Sequence, residues 1–515
     1  MRLRVGLLRF QPGWHTLLQQ IGTPWSTLTD SDRLTTENFS VIIVNDSLTS
    51  SQEKEVGEFL HTGGSVLGMM GHTQSLHKGK SVRKYYATLN PSQFPGFPSS
   101  EIFDVYMKGV QEFSDSAGRS SELVSTFSVG RGTLITLPFD VDGLVRDTRA
   151  KRKNFYFAKD RLPSEIVSVV SKGVLRRLVL HILETLHHRR GLPFVHQWHI
   201  PNGAETMFTF RVDSDKGTQE DVQKLFDVCK EFNVPTAWFL DTKSHEKWLE
   251  KFASFGEQEV GIHCYHHETL DTVTENAANF SRAARLLHES GIEPIGAAAP
   301  FGRWNEAVGQ AYEQLNLPLS SEFSYAYDAL PSFPWIGDSE SPVVQIPIHP
   351  ICIGSMMRSG YSSEEMLSYF VQVIERKLFE REPICFYHHP THHHTDVIRG
   401  IFQYLKERGI EHLSYSQYAA WWKKRNAQKT QMTYDAVAKK LTADRTPDPT
   451  VQWRVSFPDG SETITSLKNV TSLGELTKLT RTGSLALPPD LGRIRSFDWR
   501  HILLALLDEW YRRTQ

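Results

Sequence analysis

The chain has 515 residues, enough for roughly three domains of about 150 residues each. Apolar residues make up 39%, charged residues 23%, and the net charge is -2, which fits a folded globular chain and gives no electrostatic case for nucleic acid or an anionic membrane. The four cysteines, Cys229, Cys264, Cys352 and Cys385, include no CxxC pair, which excludes a disulfide scaffold and a cysteine-based zinc ribbon.

At the N-terminus, arginines at 2, 4 and 9 interrupt the apolar residues too early for a signal-peptide core. No run approaches the ~20 apolar residues of a membrane span. The expectation is a cytoplasmic chain. Arg4–Phe10 and Ser40–Val44 read as strands, Gln52–His61 as an amphipathic helix, and Gly63-Gly64 ends it before a strand at Ser65–Met70. This is a βαβ unit with a parallel sheet. Thr133–Phe139 reads as a later strand and Pro163–His187 as a helix.

From 205 to 425 the chain repeats strand then helix. Strands are expected at Thr206–Val212, Pro235–Leu240, Glu259–His263, Pro294–Ala299, Val343–Ile346, Ile384–His389 and His412–Tyr415. Helices fall between them at Thr218–Phe232, Lys243–Ser254, Glu275–Ser290, Glu306–Leu315, Ser363–Glu380 and Asp396–Arg408. This rhythm predicts a deformed (β/α) barrel of seven or eight units, with its chemistry at the C-terminal strand ends. After Trp421-Trp422 the stretch KKRNAQKTQ reads as a linker or helix end. Val451–Phe457 and Glu462–Ile464 flank a Pro-Asp-Gly turn as a hairpin, and His501–Trp510 reads as an amphipathic terminal helix. The expected division is an α/β domain at 1–195, the barrel at 196–428 and a small α+β domain at 429–515.

Three pieces carry chemistry. Asp213 and Asp215 end the first barrel strand, two apart and on one side of an extended chain. One can hold a metal while the other acts as a base, although a solvated turn or helix cap before Thr218 explains the pair as well. His263 and His267 are four apart, which on a helical turn puts both imidazoles on one face, a zinc-like spacing, with a pair of surface histidines as the equal alternative. The apolar strand Ile384–His389 ends in His388-His389-Pro390, with His392, His393 and His394 following. A histidine there is placed as acid or ligand, and a polar histidine-rich loop is the plainer alternative.

In the order Asp–Asp, His–His, His, at strand ends of one segment, these pieces resemble the polysaccharide deacetylase, or NodB-homology, family over about 205–422. The resemblance implies that Asp215, His263 and His267 hold one divalent metal, zinc by first choice and cobalt, nickel or manganese otherwise. It implies that Asp213 is the base and His389, with His388 as rival, the acid. AAAPFGRWN at 297–305 resembles the third motif and Asp328 to Trp335 the fourth, with Phe301, Arg303, Trp304 and Trp335 on the substrate side. The third motif's arginine is replaced by Ala298, and Arg303 or Arg211 is a candidate to substitute for it from another direction. The implied reaction is hydrolysis of an N-acetyl group on a saccharide. The rivals are a relative cleaving a non-sugar C–N bond and a catalytically silent carbohydrate binder. The N-terminal layout resembles glutamine-amidotransferase-like or flavodoxin-like domains. Glutaminase chemistry is excluded because no cysteine precedes Cys229.

Overall fold

The computed structural model describes residues 1–77, 80–87, 105–114, 124–155 and 162–480, with isolated positions at 499, 502, 503, 506, 507 and 510. The expected terminal helix at His501–Trp510 therefore lies largely outside the described residues.

Six N-terminal strands form one sheet in the order Trp25–Thr27, Val5–Leu7, Val41–Val44, Ser65–Met69, Gly132–Leu137, Ser125–Val129. All neighbours are parallel except the last pair. Val41–Val44 is apolar throughout because both faces of the sheet are covered. Pro12–Ile21 and Lys172–His188 pack on one face through Trp14, Leu17, Leu175 and Leu178. Ser50–His61 packs on the other through Val56, Phe59 and Leu60. Its start is fixed by a capping box between Thr49 and Gln52. The helix expected from Pro163 begins only at Lys172. Before it, Ser164–Ser168 pairs antiparallel with Ala150–Asn154, because the β-branched Ile166 and Val167 suit a ladder better than a helical turn.

In the middle segment Glu259–Cys264, Thr236–Asp241, Phe208–Asp213 and Ile384–His388 form a four-stranded parallel sheet in that order. Helices follow the strands at Gln219–Glu231, Val273–Glu289, Glu306–Gln314, Ser363–Glu380 and Thr395–Glu407. The ladders stop short of a regular seven- or eight-stranded barrel. Ala297 makes single parallel bridges to Ile262 and Ser320, and Leu319–Ser320 pairs with Val344–Gln345. On the far side the His349 N–H donates to the Cys385 carbonyl at 2.9 Å. The strand expected at His412–Tyr415 is one bridge between His412 and Phe208, and Tyr415 already opens the helix Tyr415–Ala427. Phe208, Phe210, Val212, Trp238 and Phe386 fill the core beneath the strand ends.

The basic stretch after Trp422 is the end of that helix, and buried Arg425 donates to the carbonyls of Gln19, Gln20 and Gln197. The hairpin forms as expected, with Trp453–Ser456 paired to Ser461–Thr465 across Gly460 at φ 81°. Its outer neighbour is Phe194–Gln197, so a boundary at 195/196 cuts through a strand. Sheet pairing is non-local, and hydropathy along the chain does not register it.

Candidate functional site

The strand Phe208–Asp213 is buried at every position and delivers its last carboxylate to the sheet's C-terminal edge. Two residues on, Asp215 takes a left-handed φ of 40°, which turns its side chain back toward the neighbouring strand ends. There Asp215 Oδ1 lies 3.3 Å from His263 Nε2 and 3.4 Å from His267 Nε2, and the two imidazole nitrogens are 3.1 Å apart. Three potential ligand atoms thus converge within 4.8 Å of one another. His263 is the penultimate residue of the strand Glu259–Cys264, and its Nδ1 pairs with the Ala298 carbonyl at 2.6 Å. That contact fixes the ring and leaves Nε2 to face Asp215.

Asp213 sits beside this group and is held differently. Its Oδ2 accepts from Arg211 Nη2 at 2.6 Å, and its Oδ1 is buried without a hydrogen-bond partner. Arg211 is itself fully buried and also donates to the Ser321 carbonyl. Arg303 instead lies with its guanidinium carbon 5.7 Å from the centre of the Phe301 ring. Of the two candidate replacements for the missing arginine, Arg211 is the one on Asp213. The signal was present in the sequence, since residues 211 and 213 project to the same side of a strand.

His389 Nε2 lies 3.5 Å from Asp215 Oδ2 and 4.0 Å from Asp213 Oδ2. His388 points elsewhere, with its Nε2 3.0 Å from the His393 carbonyl, so it does not share the carboxylates. Burial pushes His388 down to about 3. Burial also pushes His389 down, but the Asp215 charge and contact with Cys352 outweigh it and bring the imidazole up to about 9. Asp215 is driven up by burial, yet the charges of His389 and His267 hold it well below the usual carboxylate range.

Phe301, with φ 58°, is 36% exposed and meets the His267 ring at 4.8 Å, at the mouth of the site. Trp304 is buried against Tyr325, and its backbone N–H donates to Ser324. Trp335 packs with Phe10 and His15 of the N-terminal sheet region. Asp328 accepts from the Gly173 N–H in the same inter-segment contact. The side chains of Trp304, Trp335 and Asp328 thus make their recorded contacts with residues away from the Asp215 cluster.

Sequence reasoning missed Cys352 and His392, which form a second group of close ligand atoms with His389. Burial raises the Cys352 thiol, but His389 and His392 more than offset this and hold it well below its usual range. It also missed Ser214, which accepts from the Asp241 N–H at 3.0 Å and lies 2.8 Å from His245 Nε2, bracing the turn that carries Asp215.

Residues 205–320 match the polysaccharide deacetylase family, so the chain carries a domain of the NodB-homology kind. A Mycobacterium smegmatis protein assigned as a polysaccharide deacetylase is similar in structure, with 16% identity, a TM-score of 0.39, and coverage of 44% of this chain and 94% of that one. The allantoinase Puue has 15% identity, a TM-score of 0.37, and coverage of 44% and 93%. BA3943 of Bacillus anthracis, described as a CE4 family pseudoenzyme, has 15% identity, a TM-score of 0.31, and coverage of 41% and 65%. No curated protein matches the chain. No described helix is long and apolar enough to cross a membrane.

Proposed function

We propose that the protein is a metal-dependent hydrolase that removes an N-acetyl group from a saccharide. The observation that carries this reading is the division of labour between two carboxylates two residues apart. Asp215 faces two imidazole nitrogens, while Asp213 is held by Arg211 with one oxygen free. A divalent ion fits the first group, because one carboxylate and two neutral imidazoles supply borderline donors within ligating reach of one point. When bound by Asp215, His263 and His267, such an ion supplies Lewis acidity toward the amide carbonyl.

The chain's own residues do the rest. Asp213 Oδ1 has no partner and is the acceptor for the proton of an attacking water. Arg211 pairs with Asp213 Oδ2 and fixes its orientation. His389 presents Nε2 on the same side, where an imidazolium donates a proton to the departing amine. Phe301 supplies an exposed ring at the mouth, a surface suited to the apolar face of a sugar. Buried Trp304 and part-buried Trp335 do not enter this reading.

The test is acetate release from a panel of N-acetylated saccharides by protein stripped of metal and then supplied with zinc, cobalt, nickel or manganese. Release that needs both added metal and Asp213 supports the reading. Saccharide binding without release in any metal would instead identify a silent binder, and release only from non-sugar amides would identify the other hydrolase.

A further inference from the structure

We propose a second metal site, made by Cys352, His389 and His392, that takes a thiophilic divalent ion of the zinc class. The Cys352 sulfur and one nitrogen from each histidine lie within 4.8 Å of one another. They come from two separate parts of the chain. Cys352 immediately precedes the short helix Ile353–Arg358, and the histidines flank the turn Pro390–His392 after the sheet's last strand. The two imidazoles meet at 4.6 Å between ring centres.

Two further observations point to a ligand. Nδ1 of His389 and Nδ1 of His392 are both buried and make no hydrogen bond of normal geometry. Buried ring nitrogens are ordinarily paired, and a metal ion is one of the partners that satisfies them. The two nitrogens of His389 are also divided between two tasks. Nε2 faces Asp215 and Asp213, at 3.5 Å and 4.0 Å. Nδ1 is the nitrogen left without a hydrogen-bond partner. A metal-ligating histidine characteristically gives its other N–H to a carboxylate, which orients the ring and strengthens it as a ligand. Asp215 and Asp213 stand where that carboxylate belongs.

One thiolate and two imidazoles suit zinc, and in cobalt-substituted protein they suit Co(II). Three protein ligands leave a coordination position open for water. Gly354 is part of the construction, because a Cβ there would fall 2.2 Å from the His392 ring. The inference is independent of which bond the first site cleaves; an ion on His389 Nδ1 excludes the imidazolium form, so His389 donates a proton as proposed above only while this second site is empty.

The experiment is titration of the metal-free full-length protein with Co(II), read by bound metal per chain and by thiolate-to-cobalt charge-transfer absorption in the near ultraviolet. The expected result is two ions per chain and a charge-transfer band. Cys352→Ser should remove the band and one ion, and His392→Ala should weaken that ion at least tenfold. Asp215→Asn should lose the other ion and keep the band. If Cys352→Ser does not fold, His392→Ala decides with the same two readouts. One ion per chain without a band overturns the proposal. A band that survives Cys352→Ser, or is unaffected by His392→Ala, overturns it as well.

Discussion

Arg211 Nη2 lies 2.6 Å from Asp213 Oδ2, and both residues belong to the same strand. Side chains two apart on a strand share a face, so this pairing needs no contribution from a distant loop. Position 298, where the family's motif carries an arginine, gives its backbone carbonyl to His263 Nδ1 instead. Two orienting contacts are thus present, with the guanidinium supplied from the strand that bears Asp213. The absence of an arginine at Ala298 therefore does not leave Asp213 unheld.

Replacing Arg211 should expose that dependence. Arg211→Met leaves Asp213 buried without its cation, and breaking one side of a buried pair costs about 3–5 kcal/mol. Chemical denaturation should register a loss in that range. The double variant Arg211→Met/Asp213→Asn should recover part of it, because it removes the stranded charge. A single variant as stable as the parent would contradict the pairing.

The two aspartates should separate by metal content. Asp213→Asn should keep its bound metal and lose turnover by about 10²–10⁴-fold, the usual contribution of a general base. Asp215→Asn replaces a charged ligand with a neutral amide and should lower affinity, with activity partly restored by excess metal. Metal analysis after dialysis, followed by rates at low and high metal, distinguishes the two. Swapped behaviour would reverse the roles assigned above.

Much of this site was legible because strand and turn spacing bring its parts together. The Asp213/Asp215 pair and the His263/His267 pair each arise from a few consecutive residues, at or just past the ends of two short, largely buried strands. Cys352 was not legible, because its neighbours His389 and His392 are distant in sequence and only the packing of Ile353–Arg358 unites them. The edges of the sheet were the least legible part of the fold. Ala297 and His412 contribute single bridges, too little ladder to leave a period-2 pattern. Trp304 makes its ring contact with Tyr325, and Trp335 with Phe10 and His15, neighbours that spacing along the chain does not reveal.

Gly302 should tolerate no side chain. Its φ is 57°, and an added Cβ would meet the Phe323 ring at 2.3 Å. Neighbouring Phe301 also has a positive φ, so the turn cannot relax easily on that side. Gly302→Ala should cost about 1–3 kcal/mol from backbone strain, with further loss if Phe323 must move. It should also displace Phe301 from His267. Thermal unfolding reads the first effect, and quenching by an N-acetylated sugar of a tryptophan introduced as Phe301→Trp reads the second.

Acid should destabilise the protein well before its carboxylates titrate. Burial pushes His187, His349 and His388 down to about 3 and His245 down to about 4. It also holds His196 and His199 well below their ordinary value. In each case the folded-state pKa lies below the unfolded value of about 6.5. Between those values the unfolded chain binds more protons than the folded one, so stability rises with pH and falls as pH drops below about 6.5. His263 and His389 have raised values and the opposite sign. In metal-free protein their contribution is fully present below about 6.5 and is lost as pH rises, for His389 through about 9. They therefore do not offset the loss on the acid side. Each of the six buried neutral histidines contributes a limiting slope of about 1.4 kcal/mol per pH unit, so several kcal/mol should disappear between pH 7 and pH 5.5. Denaturant titrations across that interval should show a falling midpoint with little change in slope. His349→Gln should flatten the dependence by one residue's share. A midpoint independent of pH from 7 to 5.5 would mean that these imidazoles are not held neutral in the folded chain.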